Sequence, residues 1–487
     1  MFLKTESSNY EAVIGLEVHA QLSTDSKLFC GCSTHFGNPP NSNVCPICLG
    51  HPGVLPVLNQ RVVEFALRLG LALNCEINTK SIFARKNYFY PDLPKGFQTS
   101  QYELPICEFG FLDLSPDTAT EKKIGITRIH MEEDAGKSIH DLENDTLIDV
   151  NRCGVPLLEI VTEPDLRSAS DAAAYLIKLR QIVQYLDICD GNMEEGSFRC
   201  DANVSVRLRG ESKFGTKTEI KNMNSFKNVE KAIDFEIERQ IEIIEDGGEI
   251  VQQTLLWDAD RNEAFPMRSK EEAHDYRYFP EPDLMPVIIN EEWLNSIKTD
   301  MPELPAEKKK KFSTVYSLPI YDADILTQSR AIADYFEETA EIINDFKLIS
   351  NWIMGDILKV LNDKKILIED FPIKPKQLAE LLSLIVEGKI SGKIAKEVFL
   401  EMLETSESAT KIVQEKNLLQ ISDSSELEKL VLEVLNNNEN QVAQFLNGEE
   451  RVIGFFVGQI MKRTQGKANP KLVNDILTVH LNNRKVK

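Results

Sequence analysis

Residues 12–22 read AVIGLEVHAQL, an apolar alternation into which Glu17 and His19 intrude. Alternation over this length is the mark of a half-buried strand. Side chains two residues apart on a strand leave the same face, so Glu17 and His19 project together. KIGITRIHMEE (123–133) reads the same way and offers His130 and Glu132 at the same spacing, with Glu133 adjacent. In VPLLEIVTEPD (155–165), Glu159 stands inside a Leu/Ile/Val run. SFRCDANVSVRL (197–208) puts Asp201, Asn203 and Ser205 on one face with Arg199, and GTKTEIKNMN (215–224) does so for Lys217, Glu219 and Lys221.

Five strand-like segments thus carry charge where burial is expected, and isolated buried charges are costly. Either each acid pairs with a neighbouring base, or the set surrounds a compensating cation. The same one-face pattern recurring favours the cation. Oxygen ligands with an occasional imidazole suit Mg²⁺, which leaves coordination sites for water and phosphate oxygens. Arg152, Arg199, Lys217 and Lys221 would then meet phosphate charge. The chain contains neither GxxxxGK[ST] nor GxGxxG, so the groove is a Mg-nucleotide site of a less common design.

Across its 487 residues the chain has room for two to four domains, and its composition is that of a water-soluble globular protein. MFLKTESSNY lacks the apolar core of a signal peptide, and no apolar run reaches membrane-spanning length, so no membrane is expected. Up to about residue 290 the pattern is mixed α and β, with two amphipathic helices at 171–186 and 225–248, the second stopped by Gly247. From about 295 it is helical almost throughout: 378–388 ends at Gly388, KIAKEVFLEML follows, and Asp423 caps the next helix. KKKK (308–311) reads as the solvated part of a polar linker. The aromatic-proline segments KNYFYPDLP (86–94) and DYRYFPEPDLMP (275–286) are stiff enough to wall a groove.

Four of the nine cysteines form C-x-C-x₁₂-C-x₂-C through Cys30, Cys32, Cys45 and Cys48. Four soft ligands suit tetrahedral Zn²⁺ and leave no position open for water, so a structural role is expected. Free thiols, or His35 and His51 as ligands, are the alternatives. The scatter of the remaining cysteines fits a reducing, cytoplasmic compartment.

The net charge of −22 argues against a protein that binds nucleic acid over its whole surface. The charge is uneven, however. Residues 451–487 hold eight Lys/Arg against the single Asp475, a net of +7. That is either one module touching a polyanion or a solvated, frayed end. Within it, Phe455, Phe456, Ile460 and Met461 read as core, and Lys462, Arg463, Lys467 and Lys471 as phosphate contacts.

GLEVHAQL, VCPIC with GHPGVLPVLN, RKNYFYPDLPKGFQTSQYELPI, RIHMEEDAGKS, GTKTEIKNMNSF, DYRYFPEPDL and VGQIMKRTQGKANPKLVNDIL resemble, in order from about residue 10 to 480, the B subunits of aspartyl/glutamyl-tRNA(Asn/Gln) amidotransferases. The resemblance implies an α+β chain. A mixed α/β cradle with a glutamine-synthetase-like site (1–294) would be followed by an all-helical domain (295–407) and a helical C-terminal tail domain that binds tRNA (408–487). It implies an ATP-dependent carbon–nitrogen ligase acting within a heterotrimer with an amidase (glutaminase) A subunit and a small C subunit. ATP would phosphorylate the side-chain carboxylate of misacylated Glu-tRNA(Gln) or Asp-tRNA(Asn), and ammonia would then displace phosphate. Carried over residue by residue, the magnesium-binding and catalytic positions are Glu17, His19, Glu132, Glu159, Asp201 and Glu219, all already selected on the strands. Nothing in the sequence resembles a glutaminase, so the ammonia is expected from a partner. Two other readings compete. A non-catalytic RNA-binding zinc scaffold leaves the strand carboxylates unexplained, and a small-molecule ATP-dependent amide ligase has no use for the helical half.

Overall fold

A computed structural model describes residues 9–114, 122–139, 145–267, 276–420, 424–464 and 466–485. Residues 1–8 of the N-terminal stretch, Asp275, the expected Asp423 cap and Lys487 lie outside them. The chain divides into two compact units, Met1–Ala306 and Glu307–Lys487.

The first unit is built on a nine-stranded sheet. In chain order its strands are β1 (Tyr10–Gln21), β2 (Glu76–Ile77), β3 (Cys107–Asp113), β4 (Lys123–Glu133), β5 (Pro156–Thr162), β6 (Phe198–Leu208), β7 (Thr218–Lys221), β8 (Thr254–Asp258) and β9 (Glu263–Pro266). Their spatial order is β9-β8-β7-β6-β1-β5-β4-β3-β2, antiparallel throughout except for β7 with β8. The five strands singled out in the sequence are therefore five consecutive neighbours, with β1 in the middle.

Alternation explains how this sheet sits. Ile14, Leu16, Val18 and Ala20 of β1, Leu158 and Ile160 of β5, Ile129 and Met131 of β4, and Cys200, Ala202 and Val204 of β6 form one buried apolar face. Onto that core pack α1 (Gln60–Ala72), α2 (Ala169–Tyr185) and α3 (Phe226–Glu245). Each helix starts at a side-chain cap, from Asn59, Ser168 and Ser225 respectively. α2 buries Ala172, Tyr175, Leu176, Leu179, Ile182 and Val183 along one stripe. Burying one such side chain contributes roughly 1.5–3 kcal/mol, so the face fixes the register. A one-residue slip would send the apolar set out and the charges in. The opposite face is thereby committed to Glu17, His19, Glu159 and their neighbours.

The second unit is helical and holds two apolar cores, one from Phe312 to Val413 and one from Leu427 to Leu481. Here two readings need correction. KKKK is not a linker: it lies in the helix Pro305–Thr314, where Lys308 is buried and its Nζ lies 2.5 Å from both Asp334 and Glu337. Lys309 and Lys311 reach Asp324 and Glu337. Composition could not show this, because the acids that hold the lysines come from later helices. Phe455, expected in the core, is exposed, whereas Phe456 and Ile460 are fully buried.

Candidate active site

Cross-strand register assembles the site on the polar face. His19 of β1 lies opposite Glu159 of β5 on one side and Arg199 of β6 on the other, and Glu159 lies opposite His130 of β4. Glu17 lies opposite Asp201, and Asn203 opposite Glu219. His19 Nε2 lies 3.4 Å from Glu159, 3.5 Å from Glu132 and 3.8 Å from Glu17. His130 Nε2 lies 3.2 Å from Glu159 and 3.8 Å from Glu132. Ser100 Oγ donates to Glu132.

Burial works against charge on His19, but hydrogen bonds to Glu132 and Glu159 carry it up to about 10. Burial likewise opposes charge on His130, and the Glu159 carboxylate lifts it to about 9. Glu159, though buried, is held well below the usual carboxylate range by the two imidazoles, and Glu132 is lowered by the same pair. Burial, then the Glu159 charge, raises Glu17. The imidazole protons thus supply the positive charge that three carboxylates demand. A divalent cation on the same atoms would replace those protons. Ligand atoms of Glu17, His19 and Glu159 lie within 4.8 Å of one another, as do those of His130, Glu132 and Glu159. The donor set fits a hard divalent ion on either side of Glu159. Asp201 and Glu219 are drawn elsewhere on the same face, to Lys221 Nζ at 2.6 and 3.1 Å.

The family model described as "GatB/GatE catalytic domain" matches residues 12–295, and the one described as "GatB domain" matches residues 334–481. The B subunit of the aspartyl/glutamyl-tRNA(Asn/Gln) amidotransferase of Geotalea daltonii is 58% identical over 472 residues, covering 96% of this chain and 98% of that protein. Those of Thermodesulfovibrio yellowstonii and Chlorobium phaeobacteroides are each 58% identical over 96% of the chain and 98% of their own lengths. The chain belongs to this B-subunit family. The catalytic-domain match spans every strand of the nine-stranded sheet except the first two residues of β1, and with them the whole cluster.

The other expected site residues fall around it. Glu133 points away from Glu132: Lys95 and the Thr99 amide bind its carboxylate. Lys217 precedes β7 and is exposed, so the cation that meets the β7 acid is Lys221. Arg199 Nη2 donates to Asp134 at 3.1 Å, and Arg152 donates to the Ala135 and Gly136 carbonyls. The four cysteine sulfurs lie within 4.8 Å of one another, with Cys45 and Cys48 3.9 Å apart. Tetrahedral zinc at about 2.3 Å from each sulfur needs sulfurs about 3.8 Å apart, so the set fits zinc. Cys48 is lowered to about 4 by the Cys30 thiol, the Cys45 amide and the Lys27 ammonium. His35 and His51 lie outside the cluster.

Lys86 was not singled out as a site residue. It sits in Ala84–Asn87, the middle strand of a small sheet with Phe97–Ser100 and Phe279–Pro280, and packs on the Tyr276 ring at 4.9 Å. Burial opposes its charge, but Glu132 and Glu159 hold it above the usual lysine range. The signal was present: a lysine heading a segment already read as a groove wall. In the second unit Lys462, Arg463 and Lys471 are exposed and Lys467 half-buried, with Arg463 bonded to Glu433 at 2.9 Å. Among the described residues no helix is long and apolar enough to cross a membrane.

Proposed function

We propose that this chain is the kinase and transamidase subunit of a tRNA-dependent amidotransferase in the cytoplasm. It activates the side-chain carboxylate of misacylated Glu-tRNA(Gln), Asp-tRNA(Asn) or both with ATP, then exchanges phosphate for ammonia. The observation that carries the reading is the convergence of Glu17, His19, Glu132 and Glu159 on one sheet face bordered by Arg199, Lys221 and Lys86. A carboxylate is a poor acylating agent, so the reaction needs an acyl phosphate, and the site must tolerate phosphate, carboxylate and leaving-group charge together. Glu17, His19, Glu132 and Glu159 would hold Mg²⁺, with Asp201 and Glu219 available to a second ion once Lys221 is displaced. That metal would supply charge neutralisation at the phosphoryl oxygens.

The basic residues bind and orient the phosphates, and Arg199 beside His19 does so from within the sheet. Rigid strands hold these groups at fixed spacing, which is what an in-line transfer requires. Cys30, Cys32, Cys45 and Cys48 would hold zinc that fixes the loop between β1 and α1. Ammonia comes from a glutaminase A subunit, with a small C subunit completing the heterotrimer. The second unit, divided near residue 408 into a helical domain and a tail domain, holds the outer part of the tRNA through Lys462, Lys467 and Lys471.

Reconstitution with an amidase and a small subunit on Glu-tRNA(Gln) and Asp-tRNA(Asn) tests this. The expected outcome is ATP- and tRNA-dependent amidation in the complex, and amidation with ammonium but no glutamine turnover by this chain alone. Glutamine hydrolysis by the isolated chain would overturn the assignment.

A further inference from the structure

Beside the cluster stands a carboxylate with a different environment. Asp134 follows β4 directly and is 5% exposed. Its main chain is fixed from both sides: its amide donates to the Val155 carbonyl, and its own carbonyl accepts from the Gly154 amide. Its Oδ2 accepts from Gln21 Nε2 at 2.7 Å and Arg199 Nη2 at 3.1 Å, with Arg152 Nε at 3.5 Å. Its Oδ1 accepts from the Ala135 amide at 3.0 Å.

A carboxylate offers about four acceptor positions, and three donors already occupy these two oxygens, with the Arg152 guanidinium charge alongside. Asp134 is therefore already engaged by protein donors. Among them is the Arg199 guanidinium, which it holds directly. Arg199 lies in register with His19, and Asp134, Glu132 and Asp201 together raise its basicity against the cost of burial. One arm of Arg199 is spent on Asp134, yet its Nε is buried without a hydrogen-bond partner among the described residues. An unmade buried donor costs roughly 1–3 kcal/mol, and a charged one more. The Arg199 side chain as a whole is 35% exposed, so the guanidinium that Asp134 holds stays open to an anionic ligand.

We propose that Asp134 is a positioning residue for ATP: it locks the Arg199 guanidinium so that its remaining donors meet phosphate oxygens. The inference rests on the phosphoryl-transfer reading above. A planar guanidinium held at one edge presents its other donors in a fixed direction, whereas a free one must be ordered by the ligand at the ligand's expense.

The test uses the reconstituted heterotrimer and follows ADP release on Glu-tRNA with wild type, Asp134→Asn, Arg199→Ala and the double variant. Asp134→Asn should raise the KM for ATP about tenfold, since 1.4 kcal/mol is one decade, and leave the Kd for tRNA unchanged. The double variant should be no worse than Arg199→Ala alone, because Asp134 acts through Arg199. Additive effects, or a fall in kcat at unchanged KM, would overturn the proposal. Should Asp134→Asn lower the unfolding midpoint, Arg199→Lys carries the same prediction: it keeps the charge but loses the fork, and a wild-type KM there would also overturn it. A wild-type complex without ATP-dependent activation would instead defeat the phosphoryl-transfer reading, so the two failures are told apart.

Discussion

Among the described residues of the first unit, two clusters of side chains could hold a metal, and they are built in opposite ways. Cys30, Cys32, Cys45 and Cys48 are four like side chains on one loop, close enough in sequence for that loop alone to gather them. Glu17, His19, Glu132 and Glu159 are unlike ligands on three separate strands, brought together only by the ladder. The thiols would saturate a tetrahedral ion and fasten the loop that they belong to. The strand cluster owes its geometry to the sheet and leaves its ligands free to exchange partners, protons included. The difference teaches where loss of a ligand should register: at the sheet in chemistry, at the loop in stability.

The sharpest way to break this contrast is Glu159→Gln, at the residue shared by both histidines. Amidation in the reconstituted complex should fall about a thousandfold, with circular dichroism and unfolding midpoint close to wild type. An unfolded variant would make the cluster structural and erase the distinction. The converse is expected of Cys45→Ser with Cys48→Ser, or of chelation. The unfolding midpoint should drop by roughly 5 °C or more and recover when zinc is restored to the wild type, and activity should decline in step with folded protein. Activity lost at an unchanged midpoint would turn the knuckle into a catalytic site. The smallest effect belongs to the tail. Replacing Lys462, Lys467 and Lys471 by alanine should weaken tRNA binding at low salt and reduce the slope of log K against log salt by about 2, read by filter binding across a salt series. Arg463→Ala should add little, since Glu433 already holds that guanidinium.

Much of the site was legible because strand periodicity is local. Glu17 with His19, and His130 with Glu132, are each two residues apart, and their shared face needs no knowledge of the partner strand. The cysteine spacing was legible for the same reason. Lys86 was passed over, and Asp134 was not singled out, because their roles depend on what lies opposite: Tyr276 and Glu132 for one, Arg199 and Arg152 for the other. The preference of the β7 acid for Lys221 over Lys217 turned on where the strand begins, at Thr218. KKKK misled because its partners Asp324, Asp334 and Glu337 arrive from other helices.

By itself, then, the sequence determined which residues are charged on otherwise apolar strands, which face they share, where helices start and stop, and that four thiols can gather. Only the tertiary structure decided which strands become neighbours and in what register. That pairing makes Glu159 the common partner of two histidines and Asp134 the common partner of two arginines. The physical reason is that alternation is set by backbone geometry within a strand, whereas the meeting of side chains across strands is set by the buried face, where the apolar side chains of β1, β4, β5 and β6 admit one register.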